Sequence, residues 1–549
     1  MNGNKGFGGA IYISTTNSNE DICSENIIIN ECTISNNRAY QGYGIYIQGL
    51  PRCSTNIQIN NNNIFINNIG TTTHPQQGSI IASEIININT EELENNNNFE
   101  GETNPNIQHL LEVDSKGNPL PDPTETPTES PTETPVQTPV ETPTESPIPS
   151  STPQRTNYPG TSLDYINRNI TNQFTDNITL TQIQAVRDNV RQISGCYFKN
   201  INVSNRDYFI KADAEMLFYD NIFDNDVNPT EDRAGVLWDN YNGKMSVINC
   251  KFIRIGSRGS DSFVINTNSG GNGVNLELDI ERCEFIDCGR TGRTIPLINT
   301  INSNGIIKFY ECNFTFSQSD FSFRVLESNN NDAVFERCRF TRCASESIKV
   351  GISGTNPVGT FIFRDNYIIN NNGQLITAEK LRTKPIIENN IIETVTLNNN
   401  YLISIIHNQQ EIELLNNTFS EITSTGNENT YGGGVGILLQ SSSTEYTIKY
   451  TNCKFDNINN EHDTTNNCHG GSIQYGFSNE DNNANIEIRN CEIKNNRVKG
   501  GHGGGIAIRT TKRISIYNSI FDSNTANHED DMNGNKGFGG AIYISTTNS

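Results

Sequence analysis

One stretch of eighteen residues occurs twice in this chain, and it constrains the fold more than any other feature. MNGNKGFGGAIYISTTNS fills Met1–Ser18 and returns letter for letter as Met532–Ser549. At its centre is GGAIYI, two glycines opening a short strand of alternating apolar residues. Looser copies follow: GYGIYI at Gly42–Ile47, GGGVGI at Gly432–Ile437, GGSIQY at Gly470–Tyr475 and GGGIAI at Gly503–Ile508. A short unit repeated many times cannot bury its apolar face alone, so it stacks on its neighbours. This overrides the several separate domains that 549 residues would otherwise suggest.

A second pattern runs between these copies. Each repeat aligns on a small residue, position zero: Cys196, Asn221, Cys250, Cys283, Cys312, Cys338, Asn366, Asn390, Asn417, Cys453, Cys491 and Ser519, with Cys32 and Asn62 earlier in the chain. Two residues later stands an apolar residue, usually Phe, as at Phe198, Phe223, Phe252, Phe285, Phe314, Phe340, Phe419, Phe455 and Phe521. Apolar residues also fill the positions five and three before zero, as Ile307 and Phe309 or Ile514 and Ile516 do. Alternate residues of a strand share a face, so the three-residue step between the two apolar pairs marks a bend. The residue just before zero is often Asn, Asp or Gly, which accept a left-handed backbone at least cost. Each repeat therefore reads strand, tight corner, strand, loop, and a third strand opened by Gly-Gly. That is an all-β, right-handed parallel β-helix, a solenoid of stacked coils.

The organisation follows from composition. Residues 1–112 form a partial β-helix block. Residues 113–159 carry a Pro every third or fourth position with Thr, Ser and Glu between, and cannot build a core. This linker has the composition of an O-glycosylated stalk; a plain acidic linker is the alternative. Residues 160–194 read as a capping segment, because Leu180, Ile183, Val186, Val190 and Ile193 fall at helical spacing and predict a short helix over Thr179–Ile193. Residues 195–549 form the main β-helix of about twelve coils. Met532 lies inside a repeat, so Met1 reads as an internal methionine of a longer array with a unit of 532 − 1 = 531 residues. On that reading both copies of the opening stretch leave a β-helix end exposed.

The GGAIYI copies, taken with F-x-x-N sequences such as FDSN at Phe521–Asn524 and FINN at Phe65–Asn68, resemble the polymorphic outer-membrane protein repeats. Those repeats occur in bacterial autotransporter adhesins and in large protist surface proteins. The resemblance implies a β-helix of the pectin-lyase-like kind, an adhesive role, and a place at the cell surface, membrane-associated or extracellular. Glycans or host and cell-surface proteins are the partners it implies.

The net charge of −23 argues against nucleic acid or anionic lipid as the main partner. No run of about 18 apolar residues supplies a membrane span. Cysteines at position zero (Cys250, Cys283, Cys312, Cys338, Cys453 and Cys491) point inward and are expected to stack as a structural ladder. Cys288 and Cys343 fall where F-x-x-N puts its Asn, and join it. Vertical disulfides between coils are the alternative, and the absence of a C-x2-C pair gives a zinc site little support.

Histidines supply the candidate chemistry. His469 (CHGG) and His502 (GHGG) precede the Gly-Gly of successive coils, 33 residues apart. His528 lies beside Asp530 and Asp531 in HEDD. Stacked together, these residues are the candidates for metal or acid–base chemistry, against a plain reading as loop histidines. GNKGFGG looks like a phosphate loop but lacks the Lys-Ser/Thr and helix that one requires. Arg254 and Arg342, with Asp287 between them in the pattern and Arg258, Arg290 and Arg293 nearby, read as a charged solvated face, with a glycan- or sulfate-binding patch as the alternative. N-glycosylation sequons stand at Asn169, Asn177, Asn202, Asn313 and Asn416. No cofactor is expected. The functional expectation is a non-enzymatic surface or secreted repeat protein for adhesion, host interaction or antigenic display. The alternative is a polysaccharide-active β-helix enzyme, since fold alone does not choose between them.

Overall fold

The computed structural model is an all-β solenoid of parallel strands. It describes residues 10–15, 27–39, 45–49, 57–60, 63–66, 69–70, 81–83, 97–100, 165–166, 169–171, 183–184, 191–199, 210–212, 215–224, 237–239, 243–255, 264–266, 274–288, 290–291, 295–316, 321–343, 347–351, 359–398, 401–407, 411–426, 434–441, 445–462, 469–475, 484–499, 501–509, 512–527 and 539–545. Among these every regular element is a strand. The pairings are parallel except that of Arg290–Thr291 with Phe321–Ser322.

The coil around Cys491 shows how the sequence pattern becomes structure. Ala484–Arg489 lies on face two, Glu492–Lys494 on face three, and Arg497–Lys499 beyond a further bend. Ile506–Arg509, after the glycines, lies on face one. The corner between faces two and three falls on the residue before position zero. There φ runs from 47° at Asn518 to 64° at Gly195, the left-handed region. Asn and Asp occupy most of these corners for the steric reason already given, yet Glu31, Arg282, Glu311 and Arg337 adopt the same φ. Their strain is offset by the ladder, as in Arg282, whose N–H donates to the Tyr310 carbonyl at 2.8 Å.

A second left-handed corner lies four residues after zero, at Asn36, Arg254, Asp287, Arg342, Asn370, Thr394, Glu421, Asn457, Asn495 and Ser523. It turns the next residue inward, which is why F-x-x-N ends on a buried Asn: Asn37, Asn371, Asn496 and Asn524 are all buried. Ile255, Cys288, Cys343 and Ile458 fill the same place in other coils, also buried.

The interior is a set of ladders. Phe198, Phe223, Phe252, Phe285, Phe314 and Phe340 stack in one run, with centroids 4.9 to 5.1 Å apart. Beside them run the position-zero residues. Burying the aromatic rings and the Ile of the strands drives the stacking, at about 25 cal/mol per Å² of apolar surface removed from water.

Three expectations are corrected. Ile183–Gln184 and Gln192–Ser194 are strands, where a helix over Thr179–Ile193 was predicted. Ile183 pairs with Ile210 on face one and Ile193 with Phe218 on face two, so their spacing reflects the coil rather than one helical face. Position zero of the second coil is Asn63, not Asn62: Asn63 is buried, and its Oδ1 accepts the Cys32 N–H at 2.9 Å. Lastly, the two copies of the opening stretch do not leave two bare ends. Ile11–Thr15 pairs with Ile542–Ser545, so the strands within 11–100 continue the solenoid beyond Ser545. Ile27–Asn30 stacks on Ile514–Tyr517, and Thr33–Ser35 on Ile520–Asp522.

Candidate functional site

The strands of face one bring the two histidines together. Each precedes a glycine in the left-handed region, with φ of 70° at Gly470 and 68° at Gly503. A Cβ on Gly503 would meet the Ile506 carbonyl oxygen at 2.0 Å, and one on Gly504 the Gly540 carbonyl oxygen at 2.2 Å. The glycines of this motif therefore serve turn geometry and the close approach of coils. GNKGFGG belongs to the same series, with Gly539 at φ 63°.

The rings of His469 and His502 stack at 4.8 Å, 8° from parallel. His502 stacks in turn on Tyr543 at 4.5 Å, and Tyr543 on Tyr12 at 5.2 Å. The His502 backbone N–H donates to His469 Nδ1 at 3.2 Å. That bond holds His469 with Nδ1 as acceptor, leaving the proton of the neutral ring on Nε2. The His469 N–H donates to Gln474 Oε1 at 2.9 Å, and Asn460 Nδ2 to the His469 carbonyl at 3.2 Å. Burial of Tyr543 pushes its hydroxyl pKa up. His469 also lies 6.3 Å from Tyr543, so the site is a bent aromatic cluster fixed by backbone bonds, with Tyr12 stacked on its Tyr543 side. His528, Asp530 and Asp531 lie outside the described residues. Among the described residues no group of three His, Cys, Asp or Glu is placed to hold a metal ion.

The described cysteines lie in the interior of the coils. Cys32, Cys196, Cys250, Cys283, Cys288, Cys312, Cys338, Cys343, Cys453 and Cys491 are all buried and unbridged. Their thiols donate to carbonyls, as Cys283 does to Val247 and Glu281 at 3.3 Å and Cys312 to Ile280 at 3.3 Å. Burial pushes Cys32 up to about 11 and Cys288 up to about 12, and raises Cys283 and Cys338 as well. Such thiols stay protonated and unreactive at neutral pH.

Asn takes the same position elsewhere. Asn366 N–H and Nδ2 both donate to Asn390 Oδ1 at 3.0 Å, and Asn390 repeats this on Asn417. A second inward run, Asn496 to Asn524 to Asn37, follows the F-x-x-N position. Sequence reading anticipated the inward Cys at both positions but not that the Asn of each would form amide ladders. A third ladder is exposed, on the first corner: Asn490, Asn452, Asn416 and Asn389 each donate from Nδ2 to the corner of the coil before, ending on Asp365. Of the sequons, Asn416 lies in this ladder, Asn313 is exposed at the start of Asn313–Thr315, and Asn169 opens the strand Asn169–Thr171. Asn177 and Asn202 lie outside the described residues.

The outer faces carry paired charge. Lys244 and Lys308 clasp Asp279 at 2.6 and 3.3 Å, and Lys384 bridges Glu411 and Glu413 at 2.6 and 3.0 Å. The bonds from Lys384 and Lys449 hold the Glu411 carboxyl below its ordinary range. Arg339 and Arg489 lie over Tyr367 and Tyr517 at 4.9 and 4.8 Å. In the proposed basic patch, Arg254 is a corner residue that pairs with Asp224 at 2.7 Å, and Arg342 and Asp287 are corners too. Arg290 begins the short strand Arg290–Thr291, and Arg258 and Arg293 lie outside the described residues.

No family model matches the chain, and no curated protein matches it. Among solved structures, a crystal structure of a mutant of the periplasmic alginate epimerase AlgG is similar at 12% identity, with a TM-score of 0.23 over 66% of this chain and 78% of that one. A similarity of that size carries no argument about function.

Proposed function

We propose that this chain is a non-enzymatic binding solenoid of the polymorphic outer-membrane protein kind, displayed at a cell surface or secreted, and acting in adhesion, surface interaction or antigenic display. The observation that carries this reading is where the chemistry-bearing side chains are spent. The buried cysteines, the inward asparagines and the histidine pair bond to neighbouring coils, while Lys, Glu, Arg and Tyr form periodic rows on the outer faces. A periodic, hydrogen-bonding face suits an extended polar ligand, and glycans or cell-surface proteins are the class it fits. Arg over Tyr adds planar donors beside an apolar ring, the combination that grips a sugar's hydroxyls and its C–H face.

A glycan array run beside a reducing-sugar release assay tests this. Binding without turnover is the expected result. Sugar release that disappears in His502→Ala would overturn it in favour of a polysaccharide-active enzyme.

A further inference from the structure

The junction between the two copies of the opening stretch holds one strand too many. On face one, two strands, Ile542–Ser545 and Ile11–Thr15, lie between Ile506–Arg509 and Ile45–Gly49. On face two a single strand, Ile27–Asn30, lies between Ile514–Tyr517 and Ile57–Asn60. On face three a single strand, Thr33–Ser35, lies between Ile520–Asp522 and Asn63–Ile66. A coil contributes one strand to each face, so face one carries a surplus rung. The surplus is the duplicated sequence itself: Ile542 to Ser545 is the same IYIS as Ile11 to Ser14, in register, with Tyr12 opposite Tyr543.

We propose that the two copies are alternative occupants of one rung, and that the junction is a strand-exchange site whose partner is a second copy of this chain. In the exchange, Ile542–Ser545 of one copy seats directly on Ile45–Gly49 of the other, in place of that copy's own Ile11–Thr15. The identical sequence brings the same side chains to the seat. Faces two and three already match the exchanged arrangement, since Ile27–Asn30 and Thr33–Ser35 sit one rung above Ile514–Tyr517 and Ile520–Asp522.

The rest of the joint is specific and uses groups any copy would present. Thr33 N–H donates to the Ser519 carbonyl at 2.9 Å and Asn518 N–H to the Asn30 carbonyl at 3.1 Å. Asn37 Oδ1 receives Asn524 N–H at 2.9 Å and Nδ2 at 3.0 Å, and Asn37 Nδ2 donates to the Phe521 carbonyl at 3.1 Å. Ser35 Oγ and Asn36 Nδ2 both donate to Asp522 Oδ1, at 2.7 and 2.8 Å. The two sides are different surfaces, so the contact is head-to-tail: exchanged reciprocally it closes at two copies, and exchanged one way it stays open to further copies.

Geometry leaves both routes open. Face three stacks sixteen described strands from Asn169–Thr171 to Asn97–Glu100. At about 4.8 Å per step the chain must return roughly 72 Å to join the joint within one copy. Residues 101–164 supply 164 − 100 = 64 residues, with a maximum reach of about 210 Å. The same segment lets the block dock on a neighbour, so concentration decides between the two.

The test mixes two full-length chains, Tyr46→Cys and Tyr543→Cys, under mild oxidation. In the structure Tyr12 separates these positions, Tyr46 being the register partner of Tyr12 and Tyr12 of Tyr543. Only exchange brings them to adjacent rungs, at about 4.8 Å, within disulfide range. The Tyr12→Cys/Tyr46→Cys double variant, already paired in register, calibrates bond formation. The expected result is a disulfide-linked two-chain species in the mixture, absent from either chain alone and from the unsubstituted chain, its share rising in proportion to concentration while dilute. Placing Ile544→Asp in the Tyr543→Cys chain should abolish it. If the calibrating variant cross-links and the folded mixture yields no two-chain species up to the highest soluble concentration, the proposal fails.

Discussion

Two runs of coils fill the same inward position with different chemistry. From Cys250 to Cys338 the position holds thiols, and the residue two places on is always Phe. From Asn366 to Asn417 it holds amides, and the partner is Ile368, Ile392 or Phe419. The amides form a continuous chain of bonds: each Oδ1 accepts from the coil before, and each Nδ2 also reaches a carbonyl, as Asn390 does to Phe363 at 2.9 Å. The thiols donate only weakly, to carbonyls at 3.3 Å or more, and leave cohesion to the phenylalanine stack. One run is held by polar satisfaction and the other by apolar packing, on the same backbone. What the position demands is a small group able to bond the first corner, and Ser519 meets it as well, accepting Cys491 N–H at 3.2 Å and donating to the Tyr517 carbonyl at 2.8 Å.

This contrast can be broken by substitution. The largest effect belongs to the packing run: Phe285→Ala opens the middle of the stack and should cost about 3–5 kcal/mol. Hydrogen exchange should then accelerate first in Glu284–Ile286 and its neighbours, not in the coils past Asn366. Next comes the amide run. Asn390→Ala strips the acceptor from Asn366 N–H and Nδ2 and leaves the Phe363 carbonyl bare, at about 3 kcal/mol. If denaturant melts show it as mild as an exposed substitution, the amide chain is ornamental.

Alkaline pH should separate the runs too. Burial raises the Cys283 and Cys338 thiols of the run well above the ordinary 9.0, and that of Cys288, five residues past Cys283, to about 12. The unfolded thiols lose protons first, so this contribution is intact below about pH 9 and is lost as pH rises through 9 towards those values. The thiol run should therefore loosen with base before the amide run, and Cys288→Ser should flatten the dependence measured by hydrogen exchange. Smaller still, Cys312→Ser should cost under about 1 kcal/mol, because the hydroxyl can still donate its one proton to the Ile280 or the Tyr310 carbonyl.

The smallest effect is at the surface. Glu411 titrates below its ordinary range through Lys384 and Lys449, so its contribution is present above the ordinary carboxylate pKa and is lost as pH falls through the depressed value. Glu411→Gln should lower the melting temperature slightly at neutral pH and leave it unchanged in acid.

How far the fold was legible follows from these same positions. Spacing alone located the phenylalanine stack, the inward cysteines and the first corner wherever Asn, Asp or Gly marks it. It could not locate that corner at Arg282, Glu311 or Arg337, because stacking overrides residue preference there. Nor did it find the second corner, since Arg254, Asp287 and Arg342 read as surface charge although Asn370, Asn457 and Asn495 in the same column carried the signal. The helical reading of Thr179–Ile193 failed because Ile183 and Ile193 belong to different faces of a coil. His469 and His502 were legible as neighbours from their glycines. Tyr543 and Tyr12 were not, because the order of coils along the solenoid departs from the order of the sequence at that one place.

That departure has a mechanical meaning. Everywhere else along face one, force is handed from coil to coil along a covalent path as well as through hydrogen bonds. Between Ile542–Ser545 and Ile11–Thr15 it passes through hydrogen bonds and stacked rings alone. Under tension the solenoid should part there first, while the chain through 101–164 keeps the halves together. The joint would act as a fuse on a leash, opening to absorb a pull and able to close again when the load is gone.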